Sequence, residues 1–503
     1  MTTKAVPGDR RTINRISFWL PVAVLAVLWG LGFRQLWLSD NAARDYALAV
    51  AVGLAVVTAA EVWIWYGTKL SYSARIALTA LGFGCVMLFT MAPMAIADEL
   101  AHYENTLRCL SVPFGRALPV SLFDYTGLSG HYNVSAGYLR VWQELFRTWP
   151  SGSETFLLSG GVAYFPEYVP QMIGAGIGLL LHCDFVTLFL LGRFTNLAFY
   201  CLCVYVALRR TPVYKELLGI TALLPMALHQ AASLSYDAFI VALSLLYIAS
   251  LFYSREKAGC ITRSELLWIA VPGVLLAPTR AVYIVLALLF LLIPKKRFPS
   301  SSRRLVCLVL LLGACACLTF GSQATTLSSL GEDRTNWDGG VTYTLSAVLA
   351  DPLRAVRLFA VTFFRKAYHW VCQAHGTTLG GLTLTMPRWI ACGFCILLLT
   401  AVWDTGPQGK PLVTRERSLG LFVVLCTVGG MMLAMLLAWT SLDCDEIQGV
   451  QGRYFLPVLP LGYWALSLKK PILRGRTAVL RAPAVLILLM SMVIFILNYT
   501  LTK

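Results

Sequence analysis

Apolar runs close to 20 residues long recur along the whole chain, separated by short polar or basic segments. Each is long enough to cross a hydrocarbon core of about 30 Å as a helix. None shows the period-two alternation of a barrel strand. Thirteen spans are predicted, over 16–38, 46–67, 76–96, 185–208, 214–232, 236–254, 264–279, 281–294, 305–322, 388–404, 418–440, 453–468 and 480–499. The seventh and eighth are short and are split by Pro278-Thr279-Arg280. The run from Ile16 to Leu38 is too long for a leader's apolar core and lacks a small-residue cleavage site before Asp40, so it is read as a span. The expected fold class is an all-α, polytopic integral membrane protein.

Composition agrees. The 503 residues are 58% hydrophobic and only 13% charged, where a soluble domain carries about 25% charge. Mean hydropathy is +0.70. The net charge of +16 suggests nucleic acid only until the charges are placed. With the N-terminus inside, the cytoplasmic segments and adjoining helix ends hold 25 Lys/Arg against 6 Asp/Glu, and the rest of the chain holds 16 against 19. That asymmetry is the positive-inside rule, so a nucleic-acid partner is excluded and the excess charge reports topology in a cytoplasmic membrane. The 14 cysteines lie mostly within apolar runs and read as packing thiols. Cys109, Cys372 and Cys444 are placed in loops, where pairing is left open.

Two long segments then lie on the outer face, 97–184 and 323–387, with a shorter one over 441–452. The division expected is an N-terminal transmembrane hairpin over 1–75, a main module over 76–470 and a last helix over 471–503. Within the first outer segment, Tyr164-Phe165-Pro166-Glu167-Tyr168-Val169-Pro170-Gln171 leads into an apolar stretch too short to span, which suggests a re-entrant or interfacial helix. Leu353 to Trp370 is amphipathic, carries Arg354, Arg357, Arg365 and Lys366, and is expected on the headgroups. Trp337, Tyr343, Trp370 and His375 are expected to cover a pocket.

Candidate chemistry collects at the outer ends of the spans. Asp98, Glu99 and His102, in MAIADELAHYENTLRCL, sit where an apolar helix meets a polar loop, and ionisable groups there are costly to desolvate. A carboxylate at such a dry edge can have its pKa raised and act as a general base; the competing reading is a helix cap or a solvated charge. Asp237 opens the sixth span, where an Asp is also the ordinary cap residue. Arg453 opens the twelfth, against the charge rule, and suits a phosphate at headgroup level. Its alternative is a salt bridge to Asp443, Asp445 or Glu446. Arg280 in the outer break is a second phosphate candidate. Arg193, inside the fourth span, must pair or snorkel. Glu61, inside the second, reads as a packing contact between helices or subunits. No P-loop, HExxH or GxSxG motif and no βαβ nucleotide-sugar domain is present.

Five motifs in one order carry a resemblance: Pro93 through His102 (PxxxxDExxH), Tyr168 through Gly174 (YxPQxxG), Gly192 through Leu197 (GRxxNL), Ser233 through Ala238 (SxSYDA) and Gln451 through Pro457 (QGRYFLP). Over roughly 80–470 the chain resembles the bacterial domain-of-unknown-function 2142 family of membrane proteins. More widely it is similar to the C-type (GT-C) glycosyltransferases, such as protein mannosyltransferases and lipid A aminoarabinose transferases. The resemblance implies a GT-C-like module of about thirteen transmembrane helices with two large outer loops. It implies inverting transfer of a sugar from a polyprenyl-phosphate donor to a cell-envelope glycan, lipid or protein on the outer face. Asp98 would be the base, with Glu99 orienting the acceptor or supporting it. Arg453 and Arg280 would hold the leaving phosphate. His102, Asp237, Gln171, Tyr168, Tyr454 and Arg193 would line the acceptor side or stand behind it. No metal ligands are assigned, and a divalent metal is left open. A transporter or flippase for a lipid-linked glycan, or a non-catalytic scaffold, are the competing functions.

Overall fold

The computed structural model describes residues 27, 41–123, 153–328, 340–403, 409–468 and 478–501. Apart from Val27, the first expected span lies outside the described residues, as does Trp337. What is described is mostly helical, and seven of its helices are long and apolar enough to cross a membrane. The chain runs through α1 (Asn41–Val62), α2 (Tyr72–Thr90), α3 (Glu99–Phe114), α4 (Val169–Leu180), α5 (Phe185–Arg210), α6 (Lys215–Ala222), α7 (Pro225–Ala231) and α8 (Asp237–Glu256). It continues through α9 (Arg263–Leu276), a 3-10 stretch over Ala281–Leu292, α10 (Ser301–Ser328), α11 (Leu345–Ala350), α12 (Pro352–Ala374) and α13 (Arg388–Trp403). It ends with α14 (Thr414–Trp439), α15 (Leu459–Ala465) and α16 (Ala478–Leu501). Two antiparallel pairs complete it. β1 (Leu118–Phe123) pairs with β2 (Ser153–Leu158), setting Leu118 opposite Leu158, and β3 (Thr378–Leu379) pairs with β4 (Leu384–Thr385).

α8 is the axis of the bundle and is buried along almost its whole length, with α5 packed beside it. The peripheral helices are inside-out. α10 exposes Leu305, Val306, Val309, Leu310 and Phe320, and α14 exposes Phe422 and Leu425. Apolar surface on that scale fits a hydrocarbon solvent rather than water. α8 has Asp237 at one end and Arg255 at the other, about 30 Å away for 20 residues. The far end also gathers Arg209 and Arg210 at the close of α5, and Arg255 bound to Glu416 at 2.7 Å.

Three expected spans, the fifth, eighth and twelfth, are not continuous α-helices, and proline breaks the fifth and the twelfth. The fifth breaks into α6 and α7 at Leu223-Leu224, because Pro225 lacks an N–H and drives Leu224 into extended backbone, ψ 139°. The twelfth becomes a 3-10 turn, Gly452–Phe455, followed by α15, with Pro457 and Pro460 between and at the start. The seventh ends at Leu276, and Arg280 sits in extended backbone before the 3-10 stretch that replaces the eighth. Glu61 is a packing contact between helices: it accepts from Thr79 Oγ1 at 2.6 Å on α2. Cys109 and Cys372 lie in α3 and α12 rather than in loops.

Candidate active site at one end of the bundle

Adjacent carboxylates at Asp98 and Glu99 meet opposite fates. The Glu99 side chain is fully buried, while that of Asp98 is 61% exposed. The cause is Arg193, which enters from α5. Its Nε and Nη2 donate to the two Glu99 carboxylate oxygens at 2.8 and 2.6 Å. Its remaining N–H groups reach the carbonyls of Leu88, Met91 and Ala92 at 3.1, 2.7 and 3.0 Å. Glu99 also accepts from the backbone N–H of Met94 at 3.0 Å and of Leu234 at 3.1 Å. All five guanidinium donors are used. The α2–α3 linker is therefore wound around this pair. Met94 and Asp98 take positive φ, 66° and 63°, and an Asp tolerates that left-handed region better than most residues. Asp98 occupies the cap position of α3 but makes no capping bond, so its carboxylate turns outward.

There it meets two arginines. Arg453 Nη2 donates to Asp98 Oδ2, and Arg453 Nε lies 3.5 Å from Asp237 Oδ2. Arg280 Nη2 donates to Asp237 Oδ1 at 2.8 Å. The Arg280 guanidinium lies 4.0 Å from the Tyr454 ring centre, and that of Arg453 lies 5.4 Å from it. Asp237 heads α8 with no side-chain capping bond and is ion-paired to Arg280. Arg453 binds Asp98 and Asp237 rather than Asp443, Asp445 or Glu446. Arg453 is almost wholly enclosed and Arg280 partly so, and the buried nitrogens Arg280 Nη1 and Arg453 Nε have no hydrogen-bond partner. Unused buried donors of this kind cost free energy, and an anion would satisfy them.

A second layer lies behind. His102 Nδ1 is 3.2 Å from Tyr168 Oη, Asn105 Nδ2 donates to the same hydroxyl at 3.1 Å, and the Tyr236 ring stands edge-on to His102 at 4.7 Å. Gln171 Nε2 holds the Leu234 carbonyl at 3.1 Å. Asn196 donates to Ser233 and Ser235 carbonyls at 2.7 and 3.0 Å. Glu99, Gln171 and Asn196, from three motifs, thus hold the SLSYDA turn that aims Asp237.

The electrostatics correct one expectation. Loss of water raises the Asp98 pKa, but the Arg453 charge and hydrogen bond, with His102 and Arg280, outweigh it, so the carboxyl titrates below its usual range. A raised pKa was expected from the dry position; the arginine partner was not visible in the sequence. Burial drives Glu167 well above the carboxylate range, against the attraction of Arg280. Burial also lowers His102 to about 4, despite the pull of Asp237 and Asp98. Unfolded His102 protonates near 6.5. Between those values the unfolded state binds more protons, so stability is lost as pH falls through the window and regained above it. His102→Gln is expected to flatten the fall in unfolding temperature over that range, measured by thermal scans in detergent at stepped pH.

Arg453 is braced by α12. Trp370 Nε1 donates to the Val450 carbonyl at 3.1 Å, and Gln373 Oε1 accepts from the Gly452 N–H. A Cβ at position 452 would meet the Trp370 carbonyl oxygen at 2.3 Å and the Ala374 nitrogen at 2.7 Å, both backbone. Gly452→Ala is therefore expected to push the turn off α12 and cost about 1–3 kcal/mol, read as a lowered unfolding midpoint. Trp370, His375 and Tyr343 are buried, so the pocket-covering role expected of them is not available to those side chains.

Glu167, Tyr236, Asn105 and Gln373 are neighbours of the site that sequence reading did not single out. Only Glu167, an acid in an apolar Pro- and Tyr-rich turn with no base beside it, carried a local signal. Among the described residues no three His, Cys, Asp or Glu side chains cluster as metal ligands. The Arg453 guanidinium sits between the two carboxylates, a donor set that does not fit a divalent cation.

A family model described as a predicted membrane protein (DUF2142) matches residues 154–462. Four of the five motifs fall inside that segment, while Pro93 through His102 precedes it. No curated protein and no solved structure matches the chain.

Proposed function

The chain belongs to the DUF2142 family of predicted membrane proteins, and from that premise we propose that it is an inverting glycosyltransferase of the GT-C kind. The donor in this reading is a sugar on a polyprenyl phosphate, and the acceptor is a hydroxyl of a cell-envelope glycan, lipid or protein at the extracytoplasmic face. The observation that carries it is an outward-facing carboxylate, Asp98, against two enclosed guanidiniums with unused N–H groups, Arg453 and Arg280.

The acceptor oxygen attacks the anomeric carbon while its proton passes to Asp98. The bond from the anomeric carbon to the phosphate oxygen breaks, and the phosphate leaves with the electron pair. Arg453 and Arg280 stabilise that charge in a site already built for it. Phosphate drawn to the unused Arg453 Nε also draws on the neighbouring Nη2 that Asp98 holds, so the two anions compete for one guanidinium. Donor binding therefore releases Asp98 from its ion pair and raises its proton affinity at the step that needs a base. Asp237 holds both arginines in place. Glu99 and Arg193 act through the backbone, by fixing the linker that presents Asp98.

The test uses purified full-length protein in detergent with a panel of radiolabelled polyprenyl-phosphate sugars. Wild type is expected to release label from one donor, and Arg453→Gln to do so about 10²–10³-fold more slowly. Saturable binding of a lipid-linked oligosaccharide with no turnover of any donor would transfer the assignment to a flippase.

A further inference from the structure

α12 has three distinct faces. Ala355, Leu358, Thr362, Trp370 and Gln373 are buried against the protein. Leu353, Val356, Ala360, Phe364 and Val371, at spacings of three, four and seven, form an exposed stripe, with Leu353 82% and Phe364 84% exposed. Arg354, Arg357 and Arg365 share the remaining face, since these positions also fall on one side of a 3.6-residue helix. That face lines a cavity of about 620 Å³ with Asp351, Val361, Cys444 and Asp445. Arg354 is anchored to the Leu442 carbonyl and lies 5.9 Å from the Tyr343 ring centre. Arg365 reaches Glu446 only at 3.9 Å, and that carboxylate is held closer by Lys366 at 2.8 Å. Among the described residues Arg357 has no ion-pair partner.

We propose that this groove is a binding site for the phosphate headgroup of a bilayer phospholipid, independent of the sugar-transfer reading. An exposed apolar stripe on a soluble surface would be a liability; laid in the interface it sets the depth of the helix. That depth places the adjacent guanidiniums at headgroup level. Arg357 and Arg365 take the phosphate oxygens, which suit planar forked donors. The acyl chains run down over Leu353, Val356 and Phe364. Asp351 and Asp445 at the rim give the groove mixed charge, so it accepts a headgroup carrying one negative charge without demanding a polyanion. The same helix braces Gly452 and hence the turn bearing Arg453.

Delipidated full-length protein is titrated with dioleoylphosphatidylglycerol and followed by native mass spectrometry. One tightly held lipid per chain is expected, with affinity about thirtyfold weaker in the Arg357→Gln, Arg365→Gln double variant, at roughly 1 kcal/mol per guanidinium. Arg209→Gln, a basic residue at the far end, should leave it unchanged. Arg365 is 65% exposed, so the double variant is expected to fold, and Phe364→Gln provides a second probe, weakening binding through the acyl contact. Equal affinity of wild type and double variant overturns the proposal, as does equal affinity for dioleoylglycerol, which lacks the phosphate. Tight binding of soluble glycerol phosphate or poly(glycerol phosphate) in place of the lipid overturns it too, in favour of a polymer groove.

Discussion

Replacing Arg193 with leucine is expected to destabilise the protein by about 3–5 kcal/mol, the cost of leaving a buried charge without its partner. Glu99 would keep its carboxylate in a site with no water access, and the Leu88, Met91 and Ala92 carbonyls would lose their donors together. Natural domains are stable by only about 5–15 kcal/mol, so the variant should purify in low yield and unfold well below wild type. The double variant Arg193→Leu, Glu99→Leu should recover part of the loss, because removing both charges ends the uncompensated burial while the orphaned backbone groups remain. Thermal unfolding of the two variants in one detergent decides the matter. An unchanged midpoint for Arg193→Leu would sink the claim that this pair holds the linker.

Asp98→Asn should leave that stability nearly intact and lower sugar transfer by about 10²–10⁴-fold, the usual contribution of a general base. The side chain is exposed and asparagine tolerates the left-handed backbone. Arg453 keeps Asp237 at 3.5 Å as a counter-charge. The pH profile carries a sharper signature. In the free protein Arg453 holds the Asp98 carboxyl below its usual range, so the acid limb of kcat/KM should lie at low pH. Once donor phosphate has taken the Arg453 donor, Asp98 loses a cation and gains an anion nearby, and both changes raise its pKa. The acid limb of kcat, which reports the bound complex, should therefore sit at higher pH than that of kcat/KM. Coincident limbs would show that phosphate and Asp98 do not compete. An Asp98→Asn variant that turns over at the wild-type rate would remove Asp98 from the base role altogether.

The class of the protein is legible along the chain. Helix-length apolar runs follow from the need to satisfy backbone groups inside hydrocarbon, and the segregation of Lys and Arg follows the positive-inside rule for short loops. The sequence also marked Asp98, Asp237, Arg280 and Arg453, because a charge at the end of an apolar run is conspicuous wherever it ends up. Proline positions could have warned that the fifth and twelfth spans break, since Pro225, Pro457 and Pro460 act within one turn. Partnership between the charged groups follows from the fold. Asp98 and Arg453 are separated by most of the chain, and nothing local distinguishes Asp98 from Glu99; burial by Arg193 makes one carboxylate a structural anchor and leaves the other facing outward. The same holds for the Asp98 pKa, whose sign depends on a guanidinium brought by a distant turn, and for Gly452, whose missing Cβ matters because α12 passes against it. Hydropathy is additive along a chain and can be read from it. Electrostatics and close packing depend on which atoms meet in space, and for this protein those meetings are set by the fold.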